Sequence, residues 1–85
     1  MDAADLANVE VAKVVDARGS ACPGPLLEAK KGIGGVSVGA VLEVRSSDPG
    51  TRNDIPIWAG KVGHEFLGFL EADEGYDRLF VRRKK

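Results

Sequence analysis

Hydrophobic positions recur along this chain with two periods, and the changes between them mark out its elements. Val11-Ala12-Lys13-Val14-Val15-Asp16 is rich in β-branched residues and predicts a short strand, which Ala17-Arg18-Gly19-Ser20 turns. Between Pro23 and Ile33, the positions Leu26, Ala29, Lys30 and Ile33 follow helical spacing, and Gly32, Gly34 and Gly35 supply the stop. In Val41–Ser46, Leu42 and Val44 alternate with Glu43 and Arg45, the pattern of a half-buried strand. Ser47-Asp48-Pro49-Gly50-Thr51 is dense in turn and cap residues. Ile55, Trp58, Ala59 and Val62 then fall at i, i+3, i+4 and i+7 and predict an amphipathic helix. Its start is expected near Asp54 or a turn earlier, with Pro56 in its first turn and Gly63 at its end. Glu65–Leu70 reads as a third strand, Asp73-Glu74-Gly75 as a turn, and Tyr76–Arg83 as a fourth strand with Leu79 and Val81 on one face.

The order is therefore β-α-β-α-β-β. Strands separated by helices favour parallel or crossover pairing, whereas the last two make a hairpin. The economical packing is of the α/β class, as an α+β two-layer sandwich: one four-stranded mixed sheet with both helices on one face. Residues 1–10 show no clear period and are expected to form a loose lead-in, leaving 11–85 as a single domain.

Composition narrows the function. The chain has 85 residues, too few for an enzyme with a deep enclosed pocket but enough for a module with one exposed reactive group. A net charge of −1, with both signs spread along most of the chain, argues against broad nucleic-acid binding. The run Arg82-Arg83-Lys84-Lys85 is an exception, and reads first as a solvated basic segment, then as a contact for an acidic protein. No stretch approaches the roughly 20 apolar residues of a membrane span. The acidic start Met1-Asp2-Ala3-Ala4-Asp5 lacks the features of a secretory signal. With one unpaired cysteine, these features point to the reducing cytoplasm.

That cysteine, Cys22, sits in Ala21-Cys22-Pro23-Gly24-Pro25-Leu26. Proline is favoured at the first helical position, where its missing N–H would be unpaired anyway. Pro23 is therefore expected to open the helix and Cys22 to be its N-cap. A sulfur there faces free backbone N–H groups and the positive end of the helix dipole, which favours the thiolate. Pro23 and Pro25 remove two N–H groups, so those of Gly24 and Leu26 are the nearest donors, and Gly24 has no side chain to obstruct a docking loop. A lone cysteine has no internal partner, so its chemistry must be completed by another molecule.

These residues, taken together, resemble the TusA (SirA-like) sulfur-carrier family with its Cys-Pro-x-Pro signature. The likeness begins with Val15-Asp16-Ala17-Arg18-Gly19 and Cys22-Pro23-Gly24-Pro25-Leu26, and continues through Lys30-Lys31. It extends to Ser47-Asp48-Pro49-Gly50, Asp54-Ile55-Pro56 and Gly63-His64-Glu65, covering about Val11 to Arg82. The resemblance implies that Cys22 accepts a sulfane sulfur as a persulfide and passes it on, while Pro23, Gly24 and Pro25 shape the motif. It implies a protein sulfur donor, of the cysteine desulfurase or rhodanese type, and a protein acceptor. Family acceptors serve tRNA thiolation, molybdenum-cofactor synthesis or dissimilatory sulfur oxidation. The role is sulfurtransferase-type relay by a carrier rather than by a free-standing enzyme, with no cofactor. Ser20 departs from the family pattern, which has a larger apolar residue there; the approach to the thiol should be more polar and open.

Other residues weigh less. Arg18, Glu28, Lys31 and Arg52 are candidates for partner contact, with solvated surface as the default. His64 is conceivable as a base, but its place after Gly63 favours a cap or dipole role. Asp48 and Asp54 read as capping residues, and Trp58 as core. One cysteine and one histidine fall short of a metal site. The competing reading is a non-catalytic regulatory or protein-interaction module whose cysteine is structural.

Overall fold

The computed structural model describes residues 3–20 and 24–85. It comprises α1 (Ala3–Asn8), β1 (Lys13–Asp16), α2 (Gly24–Ile33), β2 (Val41–Ser46), α3 (Thr51–Val62), β3 (Glu65–Glu71) and β4 (Asp77–Arg82). The sheet order is β1-β2-β4-β3, with β1 parallel to β2 and β4 antiparallel to both β2 and β3. This is the expected mixed four-stranded sheet, with α2 and α3 packed on one face. Because β1, β2 and β3 all point the same way, the two helices that join them run back along the sheet, parallel to each other. Their N-terminal ends lie at the same pole as the C-terminal ends of β1 and β2.

The core lies between the helices and this face of the sheet. Ala29 and Ile33 of α2, and Ile55, Trp58 and Ala59 of α3, pack on Val15, Leu42, Val44, Leu79 and Val81. The alternation read in β2 and β4 supplies the sheet half of that layer.

The opposite face corrects two expectations. The N-terminal segment is not simply a lead-in, because α1 lies on this face and buries Leu6 (3 % exposed) against Val41, Leu67 and Phe80. A bulge in β3 between Phe66 and Gly68 makes room for it. Gly68 has φ +140, and a Cβ there would come 2.9 Å from Leu6 Cδ1. Nor is Glu43 on a solvated face, being only 2 % exposed. Its carboxylate accepts hydrogen bonds from Arg45 Nε at 2.7 Å and Arg78 Nη2 at 2.9 Å, and these side chains close over it. Alternation of polar residues predicts the side they occupy, but long arginines cover what lies beneath them.

Smaller differences have local causes. β1 starts at Lys13 rather than Val11, although the Ala12 N–H still bonds the Val41 carbonyl at 2.9 Å. α3 starts at Thr51, the earlier of the expected positions, so Pro56 lies inside the helix rather than in its first turn. The early start is fixed by a buried hydroxyl pair, Ser46 Oγ to Thr51 Oγ1 at 2.7 Å, which seats the helix on the end of β2. Pro56 has no N–H, so the Arg52 carbonyl receives no helical bond from it. Gly63 closes α3 as expected.

Candidate sulfur-carrier site

Cys22, Pro23 and Ala21 lie outside the described residues, and with them the expected N-cap and first helical position. The structure does describe both shoulders of this segment. On the near side, β1 ends in Asp16, whose carboxylate grips Arg18 three times. It accepts the Arg18 backbone N–H at 3.1 Å, Nε at 2.9 Å and Nη2 at 2.8 Å. The side-chain bonds from Arg18 and then its backbone bond hold the Asp16 carboxyl down at about 2. The Arg18 guanidinium lies 4.8 Å from the centre of the Tyr76 ring, which Arg45 also approaches at 5.9 Å. Such cation–ring contacts fix the plane of the guanidinium as well as its position.

The next residue is tied across the molecule. Gly19 N–H donates to Ser47 Oγ at 2.8 Å, joining the turn after β1 to the turn after β2. In the latter turn Asp48 Oδ1 accepts the Gly50 N–H at 2.9 Å. Gly19, Ser20, Ser47 and Asp48 together line an open cleft at the motif's edge. Ser47 was not singled out from the sequence; the available signal was its place in a turn facing the Arg18-Gly19 turn across the parallel pair β1–β2.

On the far side, α2 opens with Gly24 and the buried Pro25. A Cβ on residue 24 would lie 2.9 Å from Ser20 Cβ, so this close approach is open only to glycine. The small, polar residue expected to widen the approach to the thiol is thus packed against the first residue of the helix. The N-terminal ends of α2 and α3 both lie at this pole, and so do their positive dipole ends, although the first N–H groups of α3 are already bonded to the Asp48, Pro49 and Gly50 carbonyls.

The other candidates separate. Glu28 and Lys31 form a surface ion pair at 3.6 Å one turn into α2 and stay accessible. Arg18 remains partly exposed while clamped to Asp16. Arg52 keeps 38 % of its side chain exposed and at the same time holds Asp77 through Nε at 2.7 Å and Nη2 at 3.0 Å, reaches Glu71 at 2.9 Å, and lies over Phe69. It ties α3 to the β3–β4 hairpin. Asp48 accepts in a turn just ahead of α3, whereas Asp54 sits in the first turn of that helix rather than capping it. His64 is at the pole away from the motif, its Nδ1 accepting the Lys84 N–H at 3.1 Å and its ring edge-on to Trp58. Among the described residues, no group of three or more His, Cys, Asp or Glu side chains is placed to hold a metal ion, and no helix is long and apolar enough to cross a membrane.

Sequence and fold both match known proteins. The family model for sulfurtransferase TusA matches residues 13–83. The chain belongs to the TusA family. A relative from Archaeoglobus fulgidus, named "Putative sulfur carrier protein", is 50 % identical over 72 residues, covering 85 % of this chain and 97 % of that one. The sulfur carrier protein TusA of Pseudomonas entomophila is 39 % identical over 71 residues, 84 % of this chain and 86 % of that one. The crystal structure of the SirA-like protein from Desulfitobacterium hafniense superposes with a TM-score of 0.74 at 26 % identity, covering 86 % of this chain and 99 % of that chain. α1 lies outside the span matched by the TusA model. A sulfur-carrier role, exercised with donor and acceptor proteins, follows from membership.

Proposed function

We propose that this TusA-family chain carries sulfane sulfur as a persulfide on Cys22 and relays it between proteins of the cytoplasm. The Cys22 thiolate attacks the terminal sulfur of a donor persulfide. A bond forms between Cys22 Sγ and that sulfur, the donor S–S bond breaks, and the donor thiolate departs. An acceptor thiolate then attacks the terminal sulfur of the Cys22 persulfide, and Cys22 leaves as a thiolate. No net oxidant is needed, and the site has to be open to two proteins in turn. The observation that carries the reading is Cys22-Pro23-Gly24-Pro25 inside the span matched by the TusA model. An open cleft lined by Gly19, Ser20, Ser47 and Asp48, rather than an enclosed pocket, supports it. The donor is of the cysteine desulfurase or rhodanese type, and the acceptor belongs to tRNA thiolation, molybdenum-cofactor supply or sulfur oxidation.

The test is intact mass after incubation with a persulfide donor. A gain of one sulfur atom that is lost on reduction and absent in Cys22→Ser supports the carrier. The absence of an adduct with any donor would leave the cysteine structural and the module non-catalytic.

A further inference from the structure

The cations of this nearly neutral chain are sorted by pole, with Glu10 and Glu65 among the carboxylates beside those away from the motif. At the motif pole every cation is an arginine already held by a carboxylate: Arg18 by Asp16, Arg45 and Arg78 by Glu43, and Arg52 by Asp77. Glu71, Asp73 and Glu74 at the β3–β4 turn add negative charge there. Every lysine is at the other pole. Lys13 opens β1, Lys30 and Lys31 lie in the last turn of α2, Lys61 in that of α3, and Lys84 and Lys85 follow β4. Arg82 and Arg83 join them.

This pole is built rather than merely charged. Arg83 Nη1 bonds the Val36 carbonyl at 2.6 Å, the Gly39 N–H bonds the Arg83 carbonyl at 2.6 Å, and the Lys84 N–H bonds His64. These bonds fix the basic segment against the ends of both helices. Lys13, Lys30, Lys61 and Lys85 have no side-chain carboxylate within ion-pair distance among the described residues, whereas Arg83 Nε donates to the Lys85 main-chain oxygen at 2.7 Å and Glu65 is shared by Arg82 and Lys84. Two exposed apolar residues stand at the same pole: Val38, 63 % exposed, and Val62, 42 % exposed. A phosphate backbone has no use for exposed valines, nor for Glu65 among the cations. A protein surface with carboxylates around apolar side chains uses all three.

We infer that this pole docks an acidic, partly apolar protein surface, leaving the motif pole free for sulfur exchange. The inference goes beyond the carrier reading and does not depend on Cys22. It can be tested by amide chemical-shift titration with a synthetic amphipathic helix of glutamate and leucine. Shifts are expected at Val38, Lys61, Val62, His64 and Lys84 and not at Gly19 or Ser47. Affinity should fall at least tenfold in K61E/K85E and should also weaken in Val38→Ser, an exposed site with little structural risk. It should be unchanged in Asp73→Lys at the opposite pole. A glutamate–serine peptide of equal charge should bind several-fold more weakly. Equal binding by that peptide, tighter binding of a uridylate oligonucleotide, shifts centred on the motif pole, or salt-sensitive self-association without peptide would each overturn the assignment.

Discussion

Ser20 and Gly24 touch on either side of the segment that carries Cys22, with 2.9 Å between Ser20 Cβ and the place a Cβ on residue 24 would take. Ser20 Cβ is bonded directly to backbone, so relief requires the turn or the helix start to move. Gly24→Ala is therefore expected to cost about 1 kcal/mol, at the low end for overpacking because alanine also favours the helix. Sulfur loading should slow in parallel. Adding Ser20→Gly should restore both. Urea unfolding and the rate of mass gain measure the two effects, and a neutral Gly24→Ala would show that the contact is slack.

Glu43 links stability to pH. Burial alone would push its carboxyl up, but hydrogen bonds from Arg78 and Arg45 outweigh this and hold it below the usual glutamate value. A lowered carboxyl contributes stability that is present above the unfolded value and lost as pH falls through the folded one. Unfolding free energy should therefore decline as pH drops below about 4.5, and continue toward about 2, where Asp16 titrates. Glu43→Gln should flatten the upper part of that decline. At neutral pH it should cost ~1–2 kcal/mol, less than a fully buried pair because both arginines are partly exposed. Denaturation series across pH 2–7 for the two proteins provide the check.

Glu43 also shows where pattern reading ends. The alternation in β2 assigns Leu42 and Val44 to the helix layer, and they lie there. The same alternation cannot tell a solvated glutamate from one roofed by Arg45 and Arg78, because the second arginine comes from a strand paired 35 residues away. The Arg52 clamp is invisible to pattern for a related reason: its partners Asp77 and Glu71 are brought to it only when the hairpin folds back beside α3. α1 was missed because six residues with a single deep anchor, Leu6, carry too little periodicity to register. The Cys-Pro-x-Pro pattern can be read in the sequence because it is contiguous, while Cys22 and Pro23 themselves lie outside the described residues. The cross-chain tether at Ser47 cannot be read there.

α1 should depend on that anchor. So short a helix is marginal alone and gains its stability from packing. Leu6→Ala should release it and expose Phe80 and Leu67, lowering stability by about 2 kcal/mol, the low end for a buried leucine at a chain's edge. Amide exchange in residues 4–8 should accelerate far more than in β2. Uniform acceleration throughout would instead make α1 part of the main cooperative unit.

The Arg52 clamp makes a chemical prediction. Its paired bonds to Asp77 and its place over Phe69 use the flat, forked guanidinium, which an ammonium cannot reproduce. Arg52→Ala should lower the melting temperature, and Arg52→Lys should recover less than half of that loss. Recovery of full stability by lysine would reduce the clamp to simple charge attraction. Thermal unfolding of the three proteins decides it.

His64 provides an internal reporter. Burial lowers its pKa first, and the nearby Arg83 and Lys85 charges lower it further. In the neutral ring Nδ1 accepts the Lys84 N–H, and protonation there removes the acceptor. Because the folded state resists protonation, stability from this residue is intact above about 6.5 and falls as pH drops below it, levelling off once the folded ring has titrated. Trp58, the only tryptophan, lies with its ring centre 5.9 Å from that of His64, so its emission should be quenched as the imidazolium forms. The transition is expected below 6.5 and should vanish in His64→Gln. A midpoint above 6.5 would mean that neighbouring carboxylates, Glu65 nearest in sequence, outweigh burial and the basic segment.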